Sequence, residues 1–564
     1  MTPFHTFSWT LSPNNPMQAF SDLKVLIIDD APIVIVTLKT MLLKLGFNDR
    51  NVTYTTNPKK AIAIAKQELF DIIVCDYNFG NKLNGKQIFE ELKHHQLLKD
   101  ESVFILITGD NSSVVVHSII ELKPDDYLLK PFNILRLRER ISYTVNRKRA
   151  LHQLYTAERT QDIHDGLKLC DELLPFYPQY YFVIQKFKAE FLSKLKYFEQ
   201  SKVVYQNILS RKMYDWAKVG LANSLANLGK IQDADRIISS MLKQSSRNVT
   251  ARVAAASISL MNKDIPDAIR HLDLASNLVP GNSERELVIV NLCLSVGDNL
   301  NALERYRAYL LFNKDTFRNN IYSKINLIRI LLYACHNTGV KAKGIWLKEV
   351  KSLLSQIVDS NESGQLHDEI ELIIAHIALE EGHYSITTAK LNEVHKRGNL
   401  SHFYGLYHFS WLLNLMNFDS EFSKMVYKCS TSIWSKDSEQ IYASQVNMVE
   451  RLHETNIDKL NWLEQHYKYI HANSIDLGSL LDIYIEINQR CPFLRTVSIK
   501  IVKILAKKWP NNMEHEQVLE LIDKCDKVIR QLMDEKELQQ QNYNAIYEKL
   551  TNTIQIEETV IPIH

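Results

Sequence analysis

The sequence predicts an α/β domain, a doubly wound five-stranded parallel sheet, followed by an all-α helical-repeat solenoid. Three observations carry that prediction. Short apolar runs alternate with helix-period segments over the first 150 residues. Small residues recur at a spacing of 34 after them. Gly (16) and Pro (14) are scarce for 564 residues, which excludes sandwiches and propellers that need a turn residue every few positions.

The elements follow in order. Lys24–Asp30 is apolar on both faces and ends in two acids, as a covered parallel strand does. Ile33–Leu45 changes to helical spacing and Gly46 stops it. Val52–Thr55 is a second strand. Asn57-Pro58 starts a helix, Asn as the cap and Pro at the first helical position, that runs to about Glu68. Asp71–Asp76 is a third strand, Gly85–Lys93 a third helix, Val103–Thr108 a fourth strand, Ser113–Leu122 a fourth helix and Asp126–Leu129 a fifth strand. After Lys130-Pro131 a last helix continues to about Arg149.

In such sheets the ligand site lies at the carboxyl ends of the strands. Those ends carry Asp29, Asp30, Asp76, Thr108 and Lys130. A single acid at a strand end is usually a helix cap; five such groups on one rim are a site. Clustered carboxylates need a cation, and oxygen donors without His or Cys select Mg²⁺. Mg²⁺ favours a phosphoryl group, for which Lys130 is a point charge and Thr108 a donor. No phosphate-cradling Gly-rich loop is present, so bound nucleotide is not expected; a carboxylate can itself be the nucleophile, and central Asp76 is the candidate.

The segments LIIDD (26–30), VCDYN (74–78), LITGD (106–110) and YLLKPF (127–132) resemble the receiver domain of bacterial two-component response regulators. The resemblance implies that Asp76 is the phosphoacceptor. It implies that Asp29, Asp30 and Asp76 hold Mg²⁺ with the backbone carbonyl of Asn78, and that Thr108 and Lys130 grip the phosphoryl group. It further implies that Tyr127 is an aromatic switch, that Lys130-Pro131 is cis, and that the partner is a histidine kinase or phosphotransfer protein. The loop Phe79–Gly85 is about two residues longer than the family's.

Beyond residue 150, Ala234, Ala268 and Ala302 stand 34 residues apart, and the same step backwards reaches Gln200 and Gly166. Gly229 and Gly297 precede two of the alanines by five residues, and Pro178 and Pro280 close units. This pattern resembles tetratricopeptide repeats: small residues let paired helices approach, and glycine makes the turn. The expected domains are a flexible tail (1–21), the receiver (22–148), regular repeats (149–314), degenerate repeats (315–512) and C-terminal amphipathic helices (513–564). That last segment is a solenoid cap, with a dimerising coiled coil, and hence a homodimer, as the alternative. Segments 380–391 and 498–512 read as second helices of later units.

Lys+Arg (67) and Asp+Glu (65) nearly cancel, so charge gives no reason to expect nucleic acid. The basic residues Arg136, Arg138, Arg140, Arg147, Lys148 and Arg149 read as a solvated helix face. Seven scattered cysteines without a CxxC pair fit buried thiols in a reducing cytoplasm. No apolar run is long enough to span a bilayer. His94-His95 point to different helix faces and make a poor metal pair. The expectation is a non-enzymatic phosphorelay protein whose solenoid binds a protein or peptide. The alternatives are a constitutive scaffold whose receiver only docks, or a transcription regulator with an unrecognised DNA-binding segment.

Overall fold

A computed structural model describes residues 20–80, 83–336, 338–359, 363–433, 438–510 and 513–560. The tail expected over residues 1–21 therefore lies almost wholly outside the described residues, as do Asn81 and Lys82 of the longer loop.

The first 150 residues form a parallel sheet of order β2-β1-β3-β4-β5 from β1 (Val25–Ile28), β2 (Val52–Thr55), β3 (Ile72–Asp76), β4 (Val103–Thr108) and β5 (Asp126–Leu129). The helices between and after them are α1 (Pro32–Lys44), α2 (Pro58–Gln67), α3 (Gly85–His94), α4 (Ser113–Leu122) and α5 (Ile134–Ala150). Register pairs Val25 with Ile72 and Asp76 with Ile107, which brings the carboxyl ends of β1, β3 and β4 to one rim. Side chains alternate across the pleat, so Val25, Ile27, Val74 and Ile105 pack under α1 and α5. Leu26, Ile73, Phe104 and Leu106 face the opposite layer of α2, α3 and α4. The helix starts are written in the sequence: Asn57, Ser112 and Asn133 accept from first-turn amides, and Asn84 with Gln87 makes a capping box.

The rest of the described chain is helical. Ten helices in succession are α6 (His152–Thr160), α7 (Ile163–Leu173), α8 (Tyr181–Lys194), α9 (Phe198–Arg211), α10 (Asp215–Asn227), α11 (Ile231–Gln244), α12 (Val249–Met261), α13 (Ile265–Leu278), α14 (Ser283–Ser295) and α15 (Asn299–Asn313). From α6 to α13 each helix packs on the next, and α10 also meets α12, as stacked repeats do.

The expected repeat register needs one correction. Gln200 is exposed, whereas its neighbour Ser201 is fully buried and occupies the fourth position of α9. Gly166, Ala234, Ala268 and Ala302 are all buried at that position of their own helices. The backbone explains the slip. A left-handed residue stands five before each of them: Gln161, Lys196, Gly229, Lys263 and Gly297. Glycine marks this turn in only two units, so the step through α9 could not be read from Gly spacing. Lys196 holds φ 62°, which costs a side-chain residue about 1 kcal/mol relative to Gly. Lys196→Gly is therefore expected to stabilise the chain by a few tenths to about 1 kcal/mol, read as a rise in the urea midpoint.

The same hairpin returns later. Gly382 and Asn417 are left-handed and precede buried Thr387 and Phe422 by five. Thr387 Oγ1 donates to Ala375 O at 3.1 Å, as Ser201 Oγ does to Ala189 O at 3.1 Å. Of the two segments read as later second helices, 380–391 runs from the turn at Gly382 into Tyr384–Arg397, and 498–512 covers the later part of Arg495–Leu505 and the residues after it, 511 and 512 lying outside the described residues. His515–Leu532 buries Val518, Ile522 and Ile529 against Val497, Ile501 and Leu505, so its apolar face is covered within its own chain.

Two compact units emerge: residues 1–286 with 309–319, and residues 287–308 with 320–564. The five-stranded domain and helices α6 to α13 share unit 1. In unit 2, His408 Nε2 lies 2.9 Å from His376 Nδ1, and both rings are fully buried. Around them stand Glu380, His336, Lys343 and Arg329, with Tyr333 and Trp411 packed on the rings. Burial drives both histidines below their ordinary pKa, His408 the further; for His376 the Glu380 carboxylate opposes this. The unfolded chain takes up these protons below about pH 6.5 and the folded chain resists them. Stability is therefore complete above that pH and falls as pH drops through it. Urea midpoints at pH 7.5 and 5.5 are expected to show the fall, and His408→Gln to flatten it.

Candidate functional site

β1 and β3 end side by side, and the buried carboxylates of Asp29 and Asp76 face each other there. Lys130 lies between them: its Nζ donates to Asp29 Oδ2 at 2.8 Å and to Asp76 Oδ1 at 2.6 Å. The backbone delivers it, because Lys130 N–H donates to Thr108 O at 2.8 Å, just past the end of β5, and Lys130-Pro131 is cis. Asp76 Oδ2 accepts from Asn78 N–H at 2.8 Å, and Asp29 Oδ1 accepts from Ala31 N–H at 2.9 Å.

The electrostatics follow from burial. Loss of water pushes the Asp76 carboxyl above its ordinary value, and the bonds from Lys130 and Asn78 only partly offset this. Burial alone would depress the Lys130 ammonium, but its bonds to Asp29 and Asp76 outweigh that and hold it above its usual value. Next door, burial also raises the Cys75 thiol well above its ordinary value, so it is inert as a nucleophile.

The other expected residues are placed as follows. Asp30 is exposed at the rim. Asn78 is exposed and follows the strand. The Thr108 hydroxyl is turned along its own loop, accepting from Asp110 N–H at 3.0 Å. Tyr127 is half-buried against the α2–α4 layer. The convergence is thus Asp29, Asp76 and Lys130, with Asp30 and Thr108 at the edge. Among the described residues no three His, Cys, Asp or Glu side chains are gathered closely enough to hold a metal as they stand. The Lys130 ammonium lies between the two buried acids. Their donor chemistry, all carboxylate oxygen in a buried rim, still suits a hard cation such as Mg²⁺.

Sequence reasoning missed Tyr77 and Gly85. Tyr77 Oη donates to Ser118 Oγ at 2.8 Å, tying the end of β3 to α4. Gly85 opens α3 against the end of β3, where a Cβ would run into Asp76 O. The clue was the glycine directly after the cap Asn84.

The family model for the response regulator receiver domain matches residues 25–142. The chain is similar to the transcriptional regulatory protein YvrH of Bacillus subtilis, 32% identical over 117 residues, covering 21% of this chain and 46% of that protein. It is also similar to the chemotaxis protein CheY-3 of Vibrio cholerae, 26% identical over 120 residues, covering 21% of this chain and 89% of that one. Among solved structures, CheY4 of Vibrio cholerae aligns with 22% of this chain and 98% of its own, at 20% identity and a TM-score of 0.20. The chain spans less than half the length of YvrH.

Proposed function

Residues 25–142 are a response regulator receiver domain, and from that premise we propose that Asp76 accepts a phosphoryl group and that the helical array passes the event on as altered protein binding. The observation that carries the reading is Lys130 Nζ bridging Asp29 and Asp76 at 2.8 and 2.6 Å. Lys130 thereby favours the ionised form of a buried carboxylate and is the charge that meets the incoming oxygens.

Asp29, Asp30 and Asp76, with the Asn78 carbonyl, are the residues that would hold Mg²⁺. When bound, it neutralises charge on the phosphoryl oxygens. The donor is a histidine kinase or phosphotransfer protein. An Asp76 carboxylate oxygen attacks phosphorus; a P–O bond forms as the donor's P–N bond breaks, and the donor nitrogen keeps the electron pair. Lys130 stays charged beside the acyl phosphate. Thr108 then leaves Asp110 to donate to a phosphoryl oxygen, and Tyr127 moves with the end of β5.

The output is binding by tetratricopeptide-like repeats rather than a second reaction. No helix among the described residues is long and apolar enough to cross a membrane. The seven cysteines are free and buried, which supports a reducing cytoplasm as the proposed location. The test is incubation of the full chain with acetyl phosphate and Mg²⁺. One phosphoryl mass is expected on the wild type and none on Asp76→Asn. No gain, or a gain that survives Asp76→Asn, rejects the reading.

A further inference from the structure

Within unit 1 the receiver is held by residues far along the chain. Gly85–His94 presents buried polar groups that meet residues 281–286 and 312–318. Lys86 Nζ donates to Gly281 O at 3.1 Å and Gln87 Nε2 to Phe312 O at 2.8 Å. Glu91 accepts from Phe317 N–H at 2.5 Å, and Glu90 pairs with Arg318 at 2.7 Å. The His94 ring stacks on Phe317 with centroids 3.7 Å apart. From α4, Glu121 pairs at 2.6 Å with Arg285, which is 2% exposed and also held by Ser276 Oγ and Val279 O.

These contacts bury a lysine, a glutamate and an arginine, at 4%, 5% and 2% exposure. Buried charges are costly unless paired in good geometry, so the contact has two states, made or broken, rather than a continuum. Both receiver elements in it are also tied to the phosphoacceptor. The first turn of α3 rests on the end of β3, with Gly85 N–H donating to Tyr77 O at 2.8 Å. The α4 helix is joined to the same strand end by Tyr77 and Ser118, and its start is set by the Asp110 loop that now engages Thr108.

We propose that this contact is an intramolecular latch between receiver and repeats, and that phosphorylation of Asp76 opens it. The inference rests on the phosphoacceptor reading of Asp76. The direction follows from Thr108. Its hydroxyl now donates to Asp110 O at 3.4 Å; turning that donor to a phosphoryl oxygen draws on the Asp110 loop, which shifts the start of α4 and with it Glu121 at the far end. Linkage makes the effect reciprocal: a chain with a weakened latch accepts the phosphoryl group more readily.

The experiment is hydrogen exchange on the full chain, with and without beryllium fluoride and Mg²⁺, with bound fluoride followed by ¹⁹F resonance. The expected result is roughly tenfold faster exchange of the 312–318 amides on binding, and no change in Asp76→Asn. Arg318→Ala, and separately Glu90→Gln on the other side of the contact, are expected to lower the half-saturating fluoride concentration by about threefold or more. Bound fluoride with unchanged exchange at 312–318 overturns the latch and leaves the phosphoacceptor reading standing. Wild-type chain that binds no fluoride overturns both. Half-saturation unchanged in both variants also overturns the latch.

Discussion

Lys130→Ala is expected to slow phosphoryl incorporation from acetyl phosphate by on the order of 100-fold while leaving the receiver folded. The side chain is the cation between Asp29 and Asp76, and among the described residues no other side chain on the rim repeats its charge-assisted bonds to both. Removing it faces two buried carboxylates across one pocket. One of them then takes up a proton, and Asp76, already raised by burial, becomes a poorer nucleophile. Lys130→Arg restores charge but not shape, because a planar fork replaces a point donor, and only partial recovery is expected. Initial rates by intact mass, with far-ultraviolet circular dichroism as the fold control, make the comparison.

Arg329→Met is expected to destabilise unit 2 by about 3–5 kcal/mol. Arg329 and Glu369 are 2% and 5% exposed and paired to each other, with Arg329 Nη1 also donating to Asn326 Oδ1 at 2.6 Å. Truncating the cation strands a buried carboxylate that has no room to turn to water, because a Cβ on Gly405 would already lie 2.5 Å from Glu369 Oε1. The double replacement Arg329→Met with Glu369→Leu is expected to recover most of the loss, since the cost lies in the unpaired charge. Urea denaturation of the single and double variants reads both effects.

The receiver was legible because each of its elements carries a local signal. The central strands are apolar runs, β1 and β3 ending in acids and β4 in Thr108, and four of the helices start at Asn57, Asn84, Ser112 and Asn133. The site was legible as a set of residue types at strand ends, but not as a geometry. Nothing in the pattern says that Lys130 lies between Asp29 and Asp76, or that Thr108 turns to Asp110. The repeat register slipped at α9 because Lys196 takes a turn that glycine takes elsewhere. The contact of α3 with residues 281–318 left no pattern at all, since Lys86 and Gly281 are 195 residues apart. His94, set aside as a metal ligand, stacks on Phe317 through a contact that only the fold creates.

The central claim is that the acyl phosphate forms on one side chain. Borohydride reduces an aspartyl phosphate to homoserine, which peptide mass spectrometry locates. After acetyl phosphate and Mg²⁺, homoserine at position 76 alone is the predicted result. Homoserine at position 29 or 30, or at no position in a chain that has gained mass, would contradict the account.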